Sequence, residues 1–336
     1  MPSLMDHPIA KSTPTTERCH RLFDTLSPDE TLGIVMSADP DAIASALALK
    51  RLLWRKVKNV VLYHVNVIER SDNLALINLL SIKLERIRSM KNRKIKRWAM
   101  VDSQPAHYKP FERHLFDIVI DHHPPHPSTK AMFLDIRENY GANSTIMTEY
   151  LRAAKITPSP SLATALFYGI KTDTDNFVRD SLPKDINAFR YLYQYVNMNI
   201  IKKIESSEIT LETLKNIRVA MDRLICVKNI AFVYMETVTN PDELVIIADF
   251  FMKLAEVQWS VVAGIYENKL VVILRNADLK ADAGKQAQSW FNSWGGAAGG
   301  HRSAARAEIP LKDIEQTMGN HVALDKLLLK TIKRQK

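Results

Sequence analysis

The chain has 336 residues, 46% hydrophobic and 25% charged, an ordinary composition for a soluble globular protein and a length that suits two domains with separate cores. No apolar run is long enough to span a membrane and the opening MPSLMDHPIAKSTPTTER lacks a secretory hydrophobic segment, so no membrane partner and a cytoplasmic location are expected. Only Cys19 and Cys226 occur, which excludes a disulfide framework and a zinc knuckle, while 46 Lys plus Arg against 37 Asp plus Glu gives +9 and favours polyanionic partners.

Thr31 to Ser37, TLGIVMS, reads as a buried strand, and Ala42 to Lys56 as a helix with Ile43, Ala46, Leu49 and Leu53 on one face. Further strands are expected at Val60 to Val65, Trp98 to Val101, Asp117 to Ile120 and Ala131 to Leu134, with helices around 74–88, 143–154 and 161–170. This alternation predicts an α/β fold: a mostly parallel sheet with helices on both faces, whose ligands bind outside the carboxyl ends of the strands. Residues 185–223 are polar and helical, and a new unit follows: strand 230–236, helix 242–255, strands 258–265 and 269–275, helix 282–292. The expected domains are 20–200, a helical linker 201–226, a smaller α/β domain 227–320 and a basic tail 321–336. The densest basic runs, KLERIRSMKNRKIKR at 83–97 and KLLLKTIKRQK at the end, read as solvated faces or phosphate contacts.

Acids gather at the predicted strand ends. SADPDAIAS supplies Asp39 and Asp41, MVDSQP supplies Asp102, DIVIDHHPPH supplies Asp121, His122 and His123, and YGIKTDTDNF supplies Asp173 with Asp175 nearby. Each has an ordinary reading: an aspartate after a strand is a common N-cap, and His-His before Pro-Pro a common loop. Together, carboxylates converging on one sheet edge repel one another unless a cation neutralises them, and carboxylates with imidazole and no thiolate suit Mn²⁺ or Mg²⁺ better than structural zinc. In the second unit Gly295, Gly296, Gly299 and Gly300 precede His301 and Arg302; with Arg275, they suit a phosphate clamp, although glycine clusters mostly mark turns.

DPDAIAS, VDSQP, DHHP and GIKTDTDNF, in this order, resemble the four motifs of the DHH phosphoesterases, and VVILRN with AGGHRSAAR resembles their associated carboxyl-terminal domain. The resemblance covers roughly residues 25–310, is similar to the oligoribonuclease and 3′-phosphoadenosine-5′-phosphate phosphatase branch, and extends to GANSTIMTEYL at 141–151. It implies that Asp41, Asp102, His122 and Asp173 bind one Mn²⁺, that Asp39 and the shared Asp102 bind a second, and that His123 contacts the scissile phosphate or assists as an acid. It implies that Arg275, Gly299, Gly300, His301 and Arg302 hold the substrate in a cleft between the domains. The expected substrates are short single-stranded RNA or DNA fragments or phosphorylated nucleotides, and a homodimer is compatible with the pattern. Val35 stands where many members carry a histidine ligand of the second ion, and Ser37 offers no carboxylate, so a one-ion enzyme or a catalytically degenerate nucleotide-binding protein is the rival reading. Cyclic-dinucleotide phosphodiesterase and pyrophosphatase activities share the same metal centre.

Overall fold

A computed structural model describes residues 13–87, 94–108, 110–112, 114–178, 181–207, 209–318 and 323–333. The chain divides into two compact units, Met1–Glu208 and Ile209–Lys336. The first opens with α1 (Thr15–Asp24) and continues through β1 (Thr31–Met36), α2 (Pro40–Leu52), β2 (Asn59–His64), α3 (Ser71–Leu79), β3 (Glu85–Arg86) and β4 (Arg97–Val101). After a 3-10 turn at Pro105–His107 come β5 (Phe116–Asp121), β6 (Ala131–Ile136), α4 (Asn143–Ala153), α5 (Pro160–Asp173), α6 (Pro183–Tyr193) and α7 (Met198–Glu205).

The six strands form one parallel sheet in the order β3-β2-β1-β4-β5-β6. β1 is apolar on both faces: Leu32, Ile34 and Met36 join a core with α2, α4 and α5, whereas Val35 joins Tyr63, Trp98 and Met100 on the other face. Strand order reverses between β1 and β4, which opens the sheet's carboxyl edge for a ligand at that point. The helix expected at 74–88 stops earlier, at Leu79, because Ser81 takes a left-handed φ of 53° and the chain turns into β3. Of the basic run at 83–97, residues 88–93 lie outside the described residues, while Arg97 is paired with Glu30 and Asp117.

The second unit contains α8 (Leu211–Asp222), β7 (Ile225–Val227), β8 (Ile230–Thr237), α9 (Asp242–Phe251), β9 (Trp259–Tyr266) and β10 (Lys269–Asn276). It ends with α10 (Ala283–Phe291), β11 (Ala297–Gly300), β12 (Ala304–Pro310), α11 (Leu311–Met318) and α12 (Leu324–Lys333). Its mixed sheet runs β11-β12-β10-β9-β8-β7, with β8 and β9 parallel and the remaining pairs antiparallel. The terminal stretch read as a basic tail carries α12, whose Leu328 and Ile332 are buried in this unit's core. Among the described residues no helix is long and apolar enough to cross a membrane.

Candidate metal centre

β1, β4 and β5 end side by side, and each delivers its acid or histidine immediately afterwards. After β1, Asp39 caps α2: its Oδ1 accepts the Ala42 N–H at 2.9 Å, and Pro40 suits the first helical position. Asp41 lies one turn in and is buried, its carboxylate oxygens accepting the N–H groups of Asn143 at 2.6 Å and Ser144 at 2.7 Å. Those are the first donors of α4, so a helix amino terminus faces this carboxylate. Even so, burial pushes Asp41 up to about 7, with the Asp173 charge adding to the push.

Asp102 follows β4 in a left-handed conformation, φ 56°, and its N–H bonds to the Ile120 carbonyl at 2.9 Å. A non-glycine residue held there is strained, and such strain persists where the surroundings impose it, commonly at functional sites. Burial, then the charges of Asp41 and Asp39, hold the Asp102 carboxyl well above the usual range. Asp39 is itself exposed, so solvent screens its charge and Asp41 and Asp102 carry the electrostatic argument.

The DHH stretch at the end of β5 divides its three side chains between support and contact. Asp121 is fully buried and accepts from the His122 N–H at 2.9 Å, the His123 Nδ1 at 2.9 Å and the Gln104 amide at 2.7 Å. Burial pushes Asp121 upward, but the His123 and Gln104 hydrogen bonds and the neighbouring imidazole charge outweigh it and hold the carboxyl below its ordinary value. His122 contacts the Tyr140 carbonyl through Nδ1 at 3.0 Å and aims Nε2 at Asp102 Oδ1, 3.3 Å away, and Asp173 Oδ2, 3.1 Å away.

Nδ1–H must donate to that carbonyl, so the neutral imidazole presents an Nε2 lone pair to two carboxylates. Burial pushes the imidazole down, yet Asp102 and Asp173 outweigh it and hold its pKa well above the ordinary value. Neither His122 Nε2 nor Asp102 Oδ1 has an aligned hydrogen-bond partner among the described residues, although both are buried. A shared proton therefore fits the geometry poorly, whereas a larger cation can accept all three lone pairs.

Two overlapping groups of ligand atoms lie within 4.8 Å of one another: Asp41, His122 and Asp173; and Asp102, His122 and His123. Asp173 comes from the last turn of α5, and Gly169 one turn earlier lets α5 approach Asp41: an added Cβ would lie 3.0 Å from the Asp41 Cα. Of the expected first-unit residues, Asp41, Asp102, His122, His123 and Asp173 are thus brought together, while Asp39 is engaged as a helix cap and joins neither group. Val35 is fully buried.

In the second unit, Arg275 pairs with Asp249 at 2.5 Å and Arg302 bonds to the carbonyls of Ala281 and Leu279. The glycine segment is a hairpin: β11 pairs with β12, Gly300 takes φ 151°, and the His301 N–H donates to Ala304 at 2.8 Å. A Cβ at Gly299 would meet only Gln288 Nε2, at 3.9 Å, an ordinary van der Waals contact, and His301 is exposed. Arg275, at the end of β10, pairs in register with Ala304 just beyond that hairpin turn.

Sequence reasoning missed four contributors. Tyr140 acts through its carbonyl and Asn143 through its N–H, and the Asn143 side-chain amide is buried with neither atom hydrogen-bonded among the described residues. Asp185 accepts from Gly141 N–H at 3.0 Å and Thr145 Oγ1 at 2.6 Å, fixing the start of α4. His107 stands with its ring 5.9 Å from that of His123 and bonds to Ser103 Oγ at 3.1 Å; its place five residues after Asp102 was the available signal.

A parallel sheet that gathers carboxylates and imidazole at its switch point defines an α/β protein with a group of side chains that could hold a cation. The chain belongs to the DHH family, a family of phosphoesterases: the DHH N-terminal domain matches residues 32–170 and the DHHA1 domain matches 228–322. It is 36% identical over 322 residues to an uncharacterized protein, MJ1633, of Methanocaldococcus jannaschii, covering 94% of this chain and 66% of that relative's length. The fold is shared with the crystal structure of an exopolyphosphatase-related protein from Bacteroides fragilis, with 15% identity, a TM-score of 0.74 and coverage of 97% of this chain and 98% of that one.

Proposed function

We propose that this protein is a divalent-metal phosphoesterase that hydrolyses short single-stranded RNA or DNA fragments or phosphorylated nucleotides such as 3′-phosphoadenosine-5′-phosphate. The observation that carries this reading is the pair of buried atoms His122 Nε2 and Asp102 Oδ1, neither with an aligned hydrogen-bond partner among the described residues, facing each other with Asp173 beside them. Asp41, Asp102, His122 and Asp173 are the residues to hold Mn²⁺, with Mg²⁺ as the harder alternative that suits carboxylates. When bound, the ion supplies Lewis acidity, lowering the pKa of coordinated water and drawing charge from a phosphoryl oxygen.

The chain's own groups set the geometry. Tyr140 selects the His122 tautomer, and Asn143 and Ser144 hold Asp41 in one orientation. Asp121 holds Nδ1 of His123, which turns the opposite nitrogen of that ring toward where a phosphoryl oxygen can sit. In the second unit the proposed phosphate and base contacts are Arg275, Gly299, Gly300, His301 and Arg302; a phosphate reaching Arg275 competes there with Asp249.

Mn²⁺-dependent release of mononucleotide from a 5′-phosphorylated RNA dinucleotide, run beside 3′-phosphoadenosine-5′-phosphate, tests the reading. Asp102→Asn is the control because asparagine tolerates the left-handed backbone that residue 102 adopts. Turnover lost in the variant supports the enzyme. Val35, buried among apolar side chains where a second-ion ligand is common in the family, favours the alternative of a nucleotide-binding protein without turnover. Nucleotide binding without hydrolysis under any divalent metal would establish that alternative.

A further inference from the structure

At the edge of the first sheet opposite the metal centre, the ends of α1, α2 and α4 enclose a cavity of about 350 Å³. Thr16, Cys19, His20 and Phe23 of α1 face Arg51, Leu52, Trp54 and Lys56 at the end of α2, with Ala153 to Ile156 closing it. Among the described residues the lining holds no aspartate or glutamate. Arg51, Lys56 and Lys155 are exposed and have no carboxylate partner among the described residues; Lys56 instead lies 4.7 Å over the Phe23 ring. Trp54 is 66% exposed, an unusual state for the largest apolar side chain and one that serves no core.

The last turn of α4 separates this cavity from a second of about 420 Å³, lined by Arg152, Asn187, Arg190, Tyr191 and Gln194. It repeats the same chemistry: two arginines, no acid among the described residues, and a tyrosine ring with the Arg152 guanidinium 4.9 Å above it. Two adjacent cavities, each with an aromatic face and unneutralised cations, match alternating bases and phosphates of a single strand rather than one small anion. Asp41 and Leu52 lie eleven positions apart on α2, so the first cavity stands about 16 Å from the candidate metal centre along that helix.

We propose that these two cavities form a binding site for single-stranded nucleic acid, distinct from the metal centre. Trp54 and Tyr191 stack bases, while Arg51, Lys56, Lys155, Arg152 and Arg190 meet the intervening phosphates. The charge excess of +9 adds long-range attraction to the same ligand.

The test measures fluorescence anisotropy of a labelled phosphorothioate oligouridylate of about a dozen nucleotides with the full chain in Mn²⁺ buffer. Trp54→Ala is expected to weaken binding at least about fivefold. Arg51→Gln with Lys155→Gln is expected to flatten the logarithmic salt dependence by about 0.7 for each phosphate no longer neutralised. Both variants alter exposed side chains outside the metal cluster, so dinucleotide turnover stays at the parent value. Unchanged affinity in both variants would overturn the site. Adenosine monophosphate displacing the oligomer at a comparable concentration would overturn the single-strand reading. Because anisotropy reads binding alone, a chain without hydrolytic activity still shows whether these cavities hold the strand.

Discussion

Nδ1 of His122 lies 3.0 Å from the carbonyl oxygen of Tyr140, and that contact decides which imidazole nitrogen faces the carboxylates of Asp102 and Asp173. A histidine so held would serve as a ligand with its tautomer chosen in advance. His122→Gln is expected to lose Mn²⁺ affinity by more than about 100-fold, beyond the loss typical of an outer-shell partner. Isothermal titration calorimetry measures it, and near-parental affinity would remove His122 from the ion.

The metal centre also sets the pH dependence of stability when the ion is chelated. Asp41 is raised from 3.8 to about 7, so the folded chain binds this proton more tightly than the unfolded chain. Its contribution is fully present below pH 3.8 and is lost as pH rises through about 7. His122, also raised, acts in the same direction, losing its contribution at higher pH. Thermal unfolding with chelator is expected to show a Tm falling between pH 4 and pH 7, and saturating Mn²⁺ should remove the fall. A chelated protein whose Tm rises across that window would refute the buried-acid account.

Gly169 sits where a Cβ would lie 2.7 Å from Ser144 Oγ and 3.0 Å from the Asp41 Cα. Gly169→Ala must push α5 away from α2 or turn Ser144 aside, and overpacking of this kind costs about 1–3 kcal/mol. Urea unfolding should show that loss, and Mn²⁺ affinity should fall with it because Asp173 moves on the same helix. Unaltered stability and affinity would mean that the helices have slack at this point.

Asp121 is proposed to support rather than ligate, since it accepts from His122, His123 and Gln104. Asp121→Asn keeps the volume but weakens the grip on His123, so kcat is expected to drop about 10- to 100-fold while Mn²⁺ affinity stays within a few fold. Steady-state kinetics beside calorimetry separates the two; a parallel collapse of metal binding would make Asp121 a ligand.

The strands of the first sheet were legible because their β-branched runs end abruptly in acids: Asp39 after TLGIVMS, Asp102 after WAMV and Asp121 after DIVI. What stayed hidden works through the backbone or over long separations. The Asn143 and Ser144 N–H groups lie more than a hundred positions from Asp41, and Tyr140 contributes a carbonyl that any residue possesses. Asp185 sits in a polar helical stretch that carries no site signal. In the second unit, β11 is Ala-Ala-Gly-Gly, which has no apolar run to announce a strand, so the glycine segment that suits a phosphate clamp is also a hairpin edge that the pattern did not show. Asp39 met its ordinary reading as an N-cap, while Asp41, two residues on, is the one turned inward.

That division of labour between Asp39 and Asp41 predicts the stoichiometry. A second ion needs a lone-pair set of its own, yet Val35 offers none from its place among Tyr63, Trp98 and Met100, and Asp39 is exposed and joins neither group of converging ligand atoms. Asp102 Oδ1, the oxygen to be shared, already faces His122. The expected result is a single tight Mn²⁺ per chain by calorimetry and an electron paramagnetic resonance spectrum of isolated, uncoupled Mn²⁺. Two tight ions with exchange coupling would show that Asp39 ligates as well as caps and that a bridging pair forms without the missing imidazole.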